Sequence, residues 1–220
     1  MTPLEIVVEA LSMPHNAAFK YEVRPELQRR ILEFSKEEWK EMSNCWGEQN
    51  LNWVLNLCQV LSPAKHGRVA TDLLLEIVNS DPNAYLVPCS ERLIAQQALT
   101  AQESQHLISL FAALPTDPKA KNQTAFRSHL VSLLEAGQTS PPISEASEYS
   151  IHQKDALEIS EKAACYECLT VFSPSEISEF TDGGKTALCP YCGIDAVLPS
   201  NAGFPFSQAG LEALNEYWFG

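Results

Sequence analysis

The 220-residue chain has no run of eighteen or more apolar residues, which excludes a helix that spans a bilayer. Glycine is scarce at nine residues, few for a fold that cradles a nucleotide in glycine-rich loops. The usual signatures of chemistry are missing as well. There is no Gly-x-x-x-x-Gly-Lys loop, no Gly-x-Ser-x-Gly elbow and no His-Glu-x-x-His helix. The triplet Gly183-Gly184-Lys185 lacks the earlier glycine of a phosphate loop. The start, Met1-Thr-Pro-Leu-Glu-Ile, lacks a basic leader and a long apolar core, and Glu5 and Glu9 stand where a signal peptide would tolerate neither. A cytoplasmic location and no enzymatic activity are the expectations.

Positive charge is also short. Fifteen Lys and Arg face 28 Asp and Glu, a net charge of −13. The deficit is spread along the chain: residues 1–150 carry 12 basic and 18 acidic side chains, and residues 151–220 carry three Lys, no Arg and ten acids. Such a surface repels nucleic acid phosphates and anionic lipid heads and attracts basic proteins. It predicts a basic protein partner and argues against nucleic acid and membranes, although solubility alone also favours acidic surfaces.

What is present is a balance of 45% apolar and 20% charged residues, typical of a globular chain. From Thr2 to Ala136 apolar residues recur at helical spacing. Ser35-Lys-Glu-Glu38 and Thr100-Ala-Gln-Glu103 are capping boxes, in which a hydroxyl and a carboxylate each satisfy a free backbone N–H at a helix start. Helices are predicted over about 49–61, through Val69, Leu73, Leu74 and Ile77, over about 91–98 and 100–113, and through Phe126, Leu130, Leu133 and Leu134. Ser80-Asp81-Pro82 is expected to be a turn, and His129 a packed residue. The fold class is mainly α: an N-terminal helical domain over 1–136, HEAT-like or a bundle. Residues 137–150, rich in Ser, Pro and Glu, are expected to be a linker. Residues 151–220 then form a small zinc ribbon with a terminal helix.

Seven cysteines in a cytosolic chain argue against a disulfide framework. Cys45, Cys58 and Cys89 lie singly, and Cys58 continues an apolar stripe with Leu51, Val54, Leu55 and Leu61. The other four differ. Cys165-Tyr-Glu-Cys168 and Cys189-Pro-Tyr-Cys192-Gly193 are two Cys-x-x-Cys pairs separated by twenty residues, a four-cysteine zinc pattern. Each pair places two sulfurs on one tight turn. Pro190 pre-sets the second turn, and Gly193 permits a left-handed conformation where a Cβ is expected to crowd. Four thiolates fill a tetrahedral shell, so one structural Zn2+ per chain is expected at Cys165, Cys168, Cys189 and Cys192. Redox, catalytic-zinc and iron–sulfur readings are weaker, with His152 and Glu167 the only tempting neighbours for catalysis. Between the pairs, Leu169–Phe172 is predicted as a strand. Ser173-Pro-Ser-Glu176 is predicted to open a short helix through Ile177 and Phe180. Ala196–Leu198 is predicted as a returning strand, and Ser207 as the cap of a helix with Leu211, Leu214, Tyr217 and Trp218 on its apolar face.

The stretch from Cys165 to Ile177, then Thr186-Ala-Leu-Cys-Pro-Tyr-Cys-Gly-Ile-Asp195 and the closing Glu216-Tyr-Trp-Phe219, resembles a family of small bacterial cytoplasmic proteins with a C-terminal four-cysteine zinc ribbon. The resemblance covers residues 150–220 and implies zinc at the four cysteines, but no reaction. Phe34-Ser-Lys-Glu-Glu-Trp39 and the acidic charge loosely resemble helical-repeat immunity partners of secreted bacterial toxins. What this implies is a non-enzymatic module that binds and neutralises a basic toxin. The alternatives are a zinc-ribbon regulator associated with nucleic acid and, less favoured, a metal-dependent or redox enzyme.

Overall fold

The computed structural model describes residues 2–14, 19–115 and 124–220. Residues 15–18 and 116–123 of the expected helical domain lie outside them. The chain divides into two compact units, Met1–Leu114 and Pro115–Gly220.

The first unit is helical among its described residues. Its helices are α1 (Pro3–Leu11), α2 (Arg24–Ile31), α3 (Lys36–Cys45), α4 (Leu51–Val60), α5 (Pro63–His66), α6 (Arg68–Ser80), α7 (Pro82–Ala95) and α8 (Ala101–Ala113). A π-helical turn, Phe19–Val23, leads into α2. Local sequence sets most of these starts. The boxes at Ser35 and Thr100 both form, with each hydroxyl accepting from the N–H three residues on and each glutamate accepting from the cap residue's own N–H. Asn50 caps α4 by accepting from Trp53 N–H.

Contacts run mainly between helices near in sequence: α1 and α2 meet α4, α4 meets α7, and α7 meets α6 and α8. The core they enclose includes Leu11, Leu27, Ile31, Trp53, Leu57, Leu74, Ile77, Leu86 and Leu93, all buried. Val54, Cys58 and Leu61 are buried as the apolar stripe predicts, whereas Leu51, in the first turn of α4, is exposed. Val69 likewise faces outward at the start of α6.

One helix boundary differs from the sequence expectation. The expected break at Ser80-Asp81-Pro82 does separate α6 from α7, and Asp81 is also the N-cap of α7, its carboxylate accepting from Asn83 and Ala84 N–H, with Pro82 at the first helical position. Proline is suited to that position because its missing N–H would have no helical partner there. α7 then continues through Pro88 to Ala95, so the helix expected at 91–98 is only the end of a longer one.

The second unit holds α9 (Thr124–Ala136), α10 (Ala146–Tyr149), α11 (Lys154–Glu158) and α12 (Gln208–Phe219). It also holds a three-stranded antiparallel sheet in the order β2 (Thr170–Phe172), β1 (Ala163–Cys165), β5 (Val197–Pro199). A second, two-stranded ladder pairs β3 (Phe180–Thr181) with β4 (Thr186–Ala187).

The expected boundary at 136 and the linker over 137–150 are corrected here. α9 packs on α12, so it belongs with the ribbon and not with the preceding helices. The reason is physical: the apolar face of α12, Leu211 and Leu214, needs a partner, and α9 supplies Phe126, Leu130, Leu133 and Leu134. Glu216 on α12 caps α9 from outside, accepting from Thr124 N–H at 3.1 Å and Phe126 N–H at 2.8 Å. The segment 137–150 is folded, with a 3-10 turn at Ile143–Glu145 ahead of α10. It buries Ile143 and Ala146, and Trp218 Nε1–H donates to Ile143 O. Average composition hid these few apolar anchors.

Inside the ribbon, the box at Ser173 forms but opens only a 3-10 turn, Pro174–Glu176. Ile177 is already extended and Phe180 starts β3, so the predicted short helix is absent. Gln153 ties the two sheets together. Its Oε1 accepts from Ala187 N–H at 3.2 Å, and its Nε2 donates to Val197 O at 3.1 Å.

Candidate metal centre

Cys165 is the last residue of β1, the central strand, and is paired with Thr170 on one side and Val197 on the other. The chain then turns through Tyr166 and Glu167 to Cys168. Tyr166 N–H donates to Ala196 O, which anchors that turn to the residue preceding β5. Leu169 follows with φ +59°, a left-handed conformation uncommon for a residue with a side chain. Cys189 lies just past β4. Its N–H donates to Ile194 O, and its own carbonyl accepts from Gly193 N–H, closing the second turn. Gly193 has φ +77°. The two turns are thus built alike, with a left-handed residue directly after the second cysteine of each. The expectation that a Cβ would crowd at Gly193 is corrected: no atom lies within 4 Å of one built there. The backbone angle alone accounts for the glycine.

These turns bring all four predicted ligands together. The Sγ atoms of Cys165, Cys168, Cys189 and Cys192 all lie within 4.8 Å of one another. Cys165 to Cys192 and Cys168 to Cys189 are each 3.6 Å. A tetrahedral shell with metal–sulfur bonds of about 2.3 Å has sulfur–sulfur edges of about 3.8 Å, whereas a disulfide needs about 2.05 Å. The cluster matches the first spacing, and it can hold a metal ion. His152 and Glu167, the two tempting neighbours, are not members of it. His152 is exposed and its backbone N–H donates to Thr186 Oγ1. Glu167 keeps one buried carboxylate oxygen, Oε2, without a hydrogen-bond partner.

The electrostatics of the cluster call for a cation. Burial pushes the Cys165 thiol well above its ordinary range, against the N–H groups of Cys168 and Glu167 that favour its thiolate. Burial raises Cys192 too. At Cys168 burial acts in the same direction, but hydrogen bonding to the Thr170 hydroxyl and N–H outweighs it and brings the thiol down to about 7. Four thiolates packed this closely repel one another, and a divalent cation removes both that repulsion and the desolvation cost.

Several supporting residues were not visible in the sequence pattern. Asn215 on α12 donates through Nδ2 to the carbonyls of Tyr166 and Glu167, at 3.1 and 2.9 Å, and so holds the first turn. Its only signal was a polar residue beside the buried Leu214. Tyr191 in the second turn lies tilted against Phe172, with ring centroids 5.7 Å apart, and its hydroxyl donates to Glu176 at 2.6 Å. No protein-family model, no curated protein and no solved structure matches this chain.

Proposed function

We propose that the protein is a non-enzymatic protein-binding module, stapled by one structural Zn2+ at Cys165, Cys168, Cys189 and Cys192, that neutralises a basic toxin in the manner of an immunity protein. The observation that carries the zinc is the four-sulfur cluster at metal-shell spacing. Sulfur at all four corners favours zinc over the hard cations that prefer oxygen. Four protein ligands also leave no open position for water, which supports a structural role over a catalytic one.

The partner reading rests on charge. A net −13 steers a basic protein toward this surface and keeps nucleic acid away. The nucleic-acid regulator has little support, because residues 151–220 offer three Lys and no Arg with which to grip phosphates.

The test has two parts. Metal analysis is expected to give about one zinc per chain, lost in the Cys189→Ser, Cys192→Ser double variant; a folded wild-type protein free of metal defeats the staple. A nuclease-treated pull-down at low and moderate salt is expected to retain one basic protein stoichiometrically, and co-expression is expected to suppress that protein's toxicity. Retention of nucleic acid alone in the untreated control favours the regulator. A bound partner that is not toxic leaves a binding module but removes the immunity role.

A further inference from the structure

The helical unit holds a second pair of sulfurs that no spacing announces. Cys58 on α4 and Cys89 on α7 lie 31 positions apart in sequence, yet their Sγ atoms stand 3.2 Å apart. Both residues are fully buried. The expectation that these cysteines lie singly holds along the chain and fails in space. We propose that Cys58 and Cys89 form an oxidisable dithiol, closing under peroxide to a disulfide that ties α4 to α7.

Closure needs little movement. A disulfide bond is about 2.05 Å long, so the two sulfurs must approach by about 1.2 Å, which small side-chain rotations can share between them. The backbone at Cys89 can also yield. Pro88 sits inside α7 directly before it and has no N–H to give to the carbonyl of Ala84, so one helical bond is missing at this place. Ser90, the next residue, keeps its buried Oγ without a partner. Three consecutive residues of α7 therefore combine a broken helical ladder, a thiol against a thiol, and an unsatisfied hydroxyl.

This pair is chemically distinct from the ribbon cluster. There, four sulfurs on two turns surround a common point; here, two sulfurs face each other in an apolar core, with no third ligand in the group able to hold a metal among the described residues. A metal is not the natural occupant of such a pair, and a covalent bond is.

The step balances with peroxide as the oxidant. One thiol loses its proton and attacks the O–O bond, giving a sulfenic acid and one water. The second sulfur displaces the hydroxyl from that sulfenic acid, forming the S–S bond and a second water. Two thiols are oxidised, one peroxide is reduced, and two waters leave. Burial and the neighbouring Cys58 sulfur hold the Cys89 thiol well above its ordinary range, so the reaction is slow in the closed core and proceeds as the helices open locally.

The experiment uses the whole 220-residue chain, loaded with zinc, under prolonged hydrogen peroxide, followed by alkylation in denaturant and peptide mapping. The expected product is a peptide pair joined through Cys58 and Cys89, two hydrogen masses lighter than the reduced pair and restored by a thiol reductant. Cys58→Ala and Cys89→Ala each abolish this link, and an unchanged zinc content and helical circular dichroism show that the variants still fold. Recovery of both wild-type residues as free thiols overturns the proposal. So does their recovery as separate higher acids, or in links to other cysteines only.

Discussion

Leu169 and Gly193 occupy equivalent places, each following the second cysteine of its turn with positive φ, +59° and +77°. Only the glycine adopts that angle without strain. With open space around Gly193, a substitution there tests the angle and not the packing. Gly193→Val is expected to cost about 1–2 kcal/mol, since a β-branched residue resists the left-handed region. Metal binding and folding are one event in a small metal-stapled unit, so with the proposed zinc bound the loss is read as a roughly 5–30-fold weaker hold on it in a chelator competition. Leu169→Gly relieves the same strain but loosens the unfolded chain, so it is expected to stay within about 0.5 kcal/mol of wild type.

A second prediction at this scale concerns Glu103. It closes the capping box of α8 and pairs with Arg68 on α6. The Arg68 hydrogen bond, opposed by partial burial and helped by Thr100, holds its carboxyl at about 2 against an ordinary 4.5. A carboxylate with a lowered folded pKa stabilises the fold above its unfolded pKa and loses that contribution as pH falls from 4.5 towards 2. Glu103→Gln keeps the cap geometry and removes the charge. The urea midpoints of variant and wild type are expected to differ most above pH 4.5 and to converge near pH 2; a gap independent of pH would show that charge plays no part.

Helix ends show how much of the structure was legible at the scale of elements. The boxes at Ser35, Thr100 and Ser173 lie within four consecutive residues, so the sequence pattern alone places them, and all three form. Other ends are satisfied from far away. Asn56 on α4 is fully buried and donates through Nδ2 to Leu11 O and Met13 O at 3.0 and 2.9 Å, finishing α1 from 45 and 43 residues off. Glu216 starts α9 from α12 in the same way. No periodicity reports such caps, because a lone Asn or Glu has the same appearance whether it meets water or a distant carbonyl. The misplaced boundary at 136 follows from this: the period of α9 carries no sign of its partner or its cap, which both lie after residue 200. The four cysteines were legible because metal ligands must recur at fixed short spacing on tight turns. Cys58 and Cys89 were not, since helix packing alone brings them together. Asn56→Leu is expected to cost about 1–3 kcal/mol in chemical denaturation, because it roughly preserves volume and takes this donor from the Leu11 carbonyl at the end of α1, while Met13 O keeps the Asn52 amide. A cost below about 0.5 kcal/mol would mean that water reaches the Leu11 carbonyl as readily as Asn56 does.

At the scale of the whole molecule, the two units draw on different sources of stability. The described residues of Met1–Leu114 bury a continuous set of large apolar side chains, among them Trp53, Phe19 and nine leucines that are at most 2% exposed. The ribbon has strands of two or three residues, too short to be stable by pairing alone. Its order depends on the cluster that joins the end of β1 to the turn after β4, and on Gln153 and Asn215 as struts. Removing the metal is therefore expected to act unequally. After treatment with a strong chelator, amide hydrogen exchange should rise sharply across residues 163–198, where the ligands and strands lie, and fall back when zinc is restored. The helices from α1 to α8 should keep their protection, because none of their core contacts passes through a thiolate. α9 and α12 form the decisive region. They pack apolar faces on each other, yet Asn215 ties α12 to the first cysteine turn. If their exchange rises with the ribbon, the metal organises the whole of Pro115–Gly220. If they remain protected while 163–198 opens, the helix pair is a foundation of its own and the metal shapes only the surface built upon it. Uniform exposure of all twelve described helices would instead make the zinc a keystone of the entire chain, against the division of the molecule into two units.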